Sequence, residues 1–220
     1  MHAKALLGRC ARMLPIDWRI LLWEEETSES TLSCDGPVQI RRVLGGCFAQ
    51  TFVKGDVTQA RATALLRLST YVGGNNRRSV TLAAARPLLL RKVSGLWQVS
   101  VRLSTVSDVH AAPLPQTKKV RVVAQEPASW AVITWHGRLT ERSVQRAETA
   151  IIDAITPSHW SPCGSAMVRL HAPGSLLPFA GSFEVALPVS AQDPPIEGDI
   201  CSIGRSPSDR PGNQPRLPVH

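Results

Sequence analysis

The sequence predicts an α+β fold in which two β-β-α-β-β units join into one antiparallel sheet or open barrel with two packed helices. Three observations predict it. Two segments carry apolar residues at helical spacing, and each is flanked by two alternating apolar and polar runs on either side. Landmarks of the two halves (Val38 and Val120, Asp56 and Thr140, Trp97 and Phe183) recur in the same order at nearly constant offset. Finally, 43% of the 220 residues are hydrophobic, enough for a core. One such unit cannot bury its own sheet face, which is why the two are expected to merge.

Residues 37–43 read as the first strand, Gly45-Gly46 as its turn, and 47–53 as the second strand. Asp56, with Gln59 three residues on, opens a helix in the manner of a capping box. That helix places Val57, Ala60, Ala64, Leu65, Leu68 and Val72 on one side, and Gly73-Gly74 ends it. Extended segments at 79–90 and 96–103 complete the first half, and 104–117, with Pro113 and Pro115, connect it to the second. There, strands at 120–125 and 130–136 flank a turn. Thr140 opens a helix with Val144, Ala147, Ile151 and Ile155 on one face, and Thr156-Pro157 stops it. Strands at 166–171 and 182–187 follow.

The repeated region defines a domain over 37–189. Residues 1–36 form an N-terminal extension with a candidate edge strand at 18–26. Its start, with Lys4, Arg9 and Arg12 before the first acid at Asp17, reads either as a weak presequence or as a basic disordered segment. Localisation is accordingly expected to be cytoplasmic, or mitochondrial or plastid if that start is a presequence. Residues 190–220, rich in proline and without period, read as a disordered tail. No apolar run approaches the roughly 18 to 20 residues that span a bilayer.

The formal charge is +8, but 18 of the 25 basic residues and only 7 of the 17 acidic ones fall within 37–189. Most are arginines, whose planar fork of donors suits carboxylates and phosphates, so an anionic partner is expected. A specific nucleic-acid partner is not: aromatic residues make up 5% of the chain and no basic recognition helix or RNA-binding motif is present. Five scattered cysteines without a C-x-x-C pair fit reduced intracellular thiols better than a disulfide framework or a zinc site. An enzyme is not expected either, since no Gly-rich phosphate loop, H-E-x-x-H or G-x-S-x-G occurs.

Several runs carry a resemblance to a family. Val38-Gln-Ile-Arg-Arg, Phe48-Ala-Gln-Thr-Phe-Val-Lys-Gly-Asp56 and Leu66-Arg-Leu-Ser-Thr-Tyr-Val-Gly-Gly-Asn-Asn76 are followed in order by Trp97-Gln-Val-Ser-Val, Pro113-Leu-Pro115, Ala131-Val-Ile-Thr-Trp-His-Gly137 and Phe183-Glu-Val-Ala-Leu187. The most specific is the Tyr71-Val-Gly-Gly-Asn75 stretch. Together they resemble the SOUL haem-binding family over about residues 37–189. Arg42 stands where some members have a His considered as an iron ligand, and Ala84-Ala85-Arg86-Pro87-Leu88 stands where Met-Thr-x-Pro-Val is usual.

The resemblance implies non-enzymatic binding of haem or an iron-free porphyrin by a carrier, buffer or sensor. Such a ligand is a flat apolar disc with two carboxylates at one edge, so it needs an apolar groove rimmed by basic groups. Leu65, Leu68 and Val72 are the candidates for the disc, with Arg61 and Arg67 beside them for the carboxylates. Arg86 and Arg169, on strands expected near that helix, are further candidates. Core packing and surface charge would place the same residue types there.

Iron would take His, Met, Cys or Tyr. His171, which stands where the family usually has Tyr, is the first metal candidate and His136, beside Trp135, the second. Binding by groove and arginines without a strong axial bond stands beside them. Glu184, inside an apolar strand, reads as an ion-pair partner of an arginine such as Arg41, or more remotely as a general base. The same repeated fold resembles effector-binding domains of bacterial regulators, so a module for another small molecule or a protein partner is the alternative.

Overall fold

A computed structural model describes residues 24–25, 29–171 and 182–192. The fold is α+β: eleven strands in one curled sheet, with two helices among the described residues. In chain order these are β1 (Glu24–Glu25), β2 (Glu29–Asp35), β3 (Val38–Val43), β4 (Gly46–Val53), α1 (Val57–Val72), β5 (Ala84–Val93), β6 (Leu96–Leu103), β7 (Val120–Gln125), β8 (Ala128–His136), α2 (Glu141–Ile155), β9 (Trp160–Pro162), β10 (Met167–Leu170) and β11 (Ser182–Ala191). The sheet path runs β2-β3-β8-β11-β10-β5-β6-β4-β7, antiparallel at every step, while β1 pairs with β5 in parallel and β9 pairs with β11.

Both helices form where caps and apolar stripes agree. The Asp56 carboxylate accepts from the Thr58 and Gln59 amides at 2.8 and 2.9 Å, satisfying two of the donors that the first turn of α1 leaves free. Thr140 and Ser143 form a reciprocal capping box on α2. The whole predicted stripe of α1 is buried, as are Ala147, Ile151 and Ile155 of α2. These side chains meet Leu88, Leu90, Val99, Val101, Val185 and Leu187 from the same face of the sheet to make one core.

Several bounds differ from expectation. The sheet starts before residue 37, because β2 pairs with β3 through a register shift between Thr31 and Ser33. Of the candidate edge strand at 18–26, Glu24 and Glu25 are in β1 and the rest lies outside the described residues, as does 193–220. The strand expected from 79 begins at Ala84, since the preceding loop is tied to Asn76. Strand β11 runs on to Ala191, where β9 pairs with it.

On β3–β8, β10 and β11 an apolar face points toward the helices, but the opposite face is not uniformly polar. On β4, Cys47, Ala49 and Val53 join the core while Phe48 faces away and is still 3% exposed. Curling explains this. Gly45 sits where a Cβ would fall 2.4 Å from the Gln125 carbonyl oxygen and 2.8 Å from the Pro127 nitrogen. Its bare backbone lets the β3–β4 link approach the end of β7, so strands from opposite ends of the path enclose a common concave face.

Candidate functional site

The concave face holds a narrow groove that encloses about 30 Å³. Alternation along each strand decides what lines it. On β10, Val168 and Leu170 turn to the core, leaving Met167 and Arg169 on the groove side. Phe48 of β4, Pro87 and Leu89 of β5 and Trp130 of β8 add an apolar wall, and Glu29, Gln125 and Glu126 lie at its polar margin. Apolar walls with a few convergent polar groups are the chemistry of a small-molecule site, while the enclosed space itself is water-sized.

A charged cluster sits at one side of this groove. Arg41 donates from Nη1 to Glu184 Oε1 at 2.8 Å, and its Nη1 lies 3.5 Å from Glu29 Oε2. Gln39 Oε1 accepts from Arg41 Nε and Nη2 at 3.0 and 2.8 Å. Arg169 donates from Nη2 to Glu29. His171 Nε2 is hydrogen-bonded to Glu184 Oε2 at 2.8 Å. Burial alone would raise the Glu184 carboxyl; the hydrogen bond from His171, the charge of Arg169 and the bond from Arg41 outweigh it and bring its pKa to about 2. Glu184 is thus a held anion and a poor base near neutral pH. The Arg41–Glu184 pair expected across the sheet is present.

Arg169 is the exceptional member. It is 3% exposed, yet its Nη1 and Nε have no hydrogen-bond partner among the described residues. Nε lies 3.6 Å from Glu184 Oε2, close enough for charge attraction but too long for a hydrogen bond. Buried donors left unsatisfied cost about 1–3 kcal/mol each, so a guanidinium in this condition beside a groove is poised to take an acceptor.

The sequence profile of the SOUL heme-binding protein family matches residues 25–170. The chain belongs to the SOUL family. No curated protein sequence matches it. Two solved structures are similar to this SOUL protein in fold. EcmrR, in its complex with DNA, shares 8% identity at a TM-score of 0.52, over 86% of this chain and 65% of that one. A hydrolase encoded by lin2189 from Listeria innocua shares 15% identity at a TM-score of 0.50, over 72% of this chain and 94% of that one. This SOUL chain therefore spans about two thirds of EcmrR's length, and both likenesses concern architecture alone.

Within this SOUL fold the sequence-derived candidates separate into two groups. Leu65, Leu68 and Val72 are 1%, 0% and 6% exposed in the helix–sheet core, so they offer no open surface to a disc. Arg67, beside them, donates to the Phe52 carbonyl at 2.9 Å and to Thr51 Oγ1 at 3.3 Å, bracing α1 against β4. Arg61 lies on the same helix, half-buried. Arg86, Arg169 and His171 instead come together, with Arg86 Nη1 donating to the His171 carbonyl at 3.2 Å. His136 is exposed at the end of β8, and neither it nor the side chain of His171 lines the groove. Sequence reasoning missed Phe48, Leu89, Trp130, Met167 and Glu29. For the first four the usable signal was the second, outward-facing apolar series on strands whose core series was already assigned.

The SOUL signature around Tyr71 is architectural. Tyr71 Oη donates to the Pro113 carbonyl at 2.8 Å, and Asn76, fully buried, donates from Nδ2 to Tyr71 O and Val80 O at 3.3 and 2.7 Å. Its Oδ1 accepts from the amides of Arg78 and Val80. These bonds tie the end of α1 to the connector before β7.

Proposed function

We propose that this chain binds haem or a related tetrapyrrole non-covalently, without catalysis, in the groove on the concave face of the sheet. Leu89 and Trp130, half-buried at the groove, face the disc and exclude water, and Arg169 anchors a carboxylate arm. The observation that carries this reading is Arg169, with two buried donors that have no hydrogen-bond partner among the described residues, at the edge of an apolar groove. Membership of a heme-binding family supports it from an independent direction. Of the arginines suggested by the sequence, the reading keeps Arg169, with Arg86 supporting the end of β10 through the His171 carbonyl. Haem, when bound, supplies its iron chemistry; the protein supplies the apolar walls, the cation and the dry environment.

Hemin titration followed at the Soret band tests the proposal. Saturable binding is expected, and it should weaken about tenfold or more in Arg169→Met combined with Glu29→Gln, compared with Glu29→Gln alone, because a charge-assisted hydrogen bond is lost. Pairing the two changes avoids leaving Glu29 buried without its cation. If the wild-type chain saturates with neither hemin nor protoporphyrin IX, the reading fails and the groove serves another class of ligand.

A further inference from the structure

We propose that the loop after α1 and the connector before β7 form a surface that docks on an anionic lipid bilayer. Leu114 and Val80 enter the headgroup layer, and Arg77, Arg78, Lys118 and Lys119 face its negative groups. The inference is independent of the groove, which none of these six residues lines.

The positive excess of the domain leads here. On the concave face the arginines are neutralised in place, Arg41 by Glu184 and Glu29 and Arg169 by Glu29. Residues 73–82 and 109–119, by contrast, contain four Arg and Lys and no Asp or Glu. All four are exposed, and among the described residues no carboxylate pairs with any of them. The two segments are stitched side by side. Asn76 and Pro115 form an antiparallel bridge, and the Arg77 amide donates to the Leu114 carbonyl at 2.9 Å. Gln116 Nε2 donates to the Asn76 carbonyl at 3.1 Å, and Arg78 Nη1 to the Ala111 carbonyl at 3.0 Å. Asn76 also holds Val80 by both its amide and its carbonyl. On this braced backbone Leu114 is 61% exposed, the most of any large hydrophobic residue among those described, and Val80 is 43% exposed.

Exposed aliphatic tips rimmed by bases are the chemistry of an interfacial contact. The tips leave water at the headgroup boundary, and each Lys or Arg near an anionic surface adds about fivefold to partitioning. A nucleic acid would answer the charge but offers these aliphatic side chains no use, since its bases stack on aromatic ones.

Cosedimentation of the full chain with phosphatidylcholine vesicles, with and without about a quarter phosphatidylserine, tests the docking. Wild type should prefer the phosphatidylserine vesicles by about tenfold or more and lose that preference as salt rises. Arg77→Gln, Lys118→Gln and Lys119→Gln together should weaken binding to them about hundredfold; Arg78 stays because of its bond to Ala111. Leu114→Ser should weaken it about fivefold while leaving affinity for duplex DNA within about twofold of wild type. Thermal melts matching wild type show that the variants fold, and if the triple variant melts lower, Arg77→Gln alone decides, with about a fivefold loss expected. Wild type that binds neither vesicle, or both equally, overturns the proposal, as does unchanged affinity in a folded arginine or lysine variant. Unchanged lipid affinity in Leu114→Ser, with the basic variant weakened alike on vesicles and on duplex DNA, reduces the surface to a general binder of polyanions and overturns it too.

Discussion

At the scale of single residues, the chemistry of this protein is decided by how two carboxylates and two arginines share the concave face. Glu184 has its pKa depressed from the ordinary 4.5 to about 2, so its ionised form is stabilised by folding. That contribution is complete above about 4.5 and disappears as pH falls toward 2. Glu184→Gln should therefore lower stability by about 1–3 kcal/mol at pH 7, with the difference from wild type narrowing at pH 3. Urea titrations at both pH values check this, and a pH-independent difference would contradict it. Glu29 occupies Arg169 in the way a ligand carboxylate would. Glu29→Gln should accordingly raise hemin affinity several-fold while leaving a porphyrin diester unaffected, which paired titrations can read.

At the scale of elements, the Tyr71–Asn76 stretch shows a family signature serving geometry. Asn76 satisfies two carbonyls and two amides in a site with no water-exposed surface, and its own carbonyl accepts from Gln116. Asn76→Ala strands these groups and should cost about 2–4 kcal/mol by chemical denaturation. Gly45→Ala places a methyl against backbone atoms of the β7–β8 turn, which cannot retreat as a flexible side chain would. A loss of about 1–3 kcal/mol is expected, with hemin affinity falling too because the same contact shapes the groove. Both helices were legible in the sequence from their caps and their stripes of Val57 to Val72 and Val144 to Ile155. Strand β2 was not, since Glu29–Asp35 has little apolar alternation and is held at the sheet edge by pairing with β3.

At the scale of the whole molecule, the curl of the sheet turns strands distant in the path into two sides of one site. Glu29 of β2, Gln125 of β7 and Arg169 of β10 line the same groove although they sit at both ends and the middle of the sheet. Ligand in such a groove bridges the two halves, so hemin at 100 times its dissociation constant should add about 2.7 kcal/mol and raise the melting temperature by about 5–10 °C. A thermal melt with and without hemin measures it, and no shift at saturation would argue that binding occurs elsewhere.

By itself the sequence determined the α+β class, both helices with the strands that flank them in chain order, and the resemblance to the family. These follow from periodicity, caps and turn residues, which act over a few neighbours. Only the tertiary structure decided which apolar series meets the helices and which meets a ligand. Leu65, Leu68 and Val72 carry the same apolar chemistry as Phe48, Leu89 and Met167. The first set is spent on the helix-side core and the second lies on the opposite face of the sheet along the groove, because the packing of α1 on the sheet and the curl brought about near Gly45 are long-range events that no local pattern encodes. Arg169 and His171 were visible in the sequence as candidates, but the Glu29 and Glu184 partners that set their roles came from strands far along the chain.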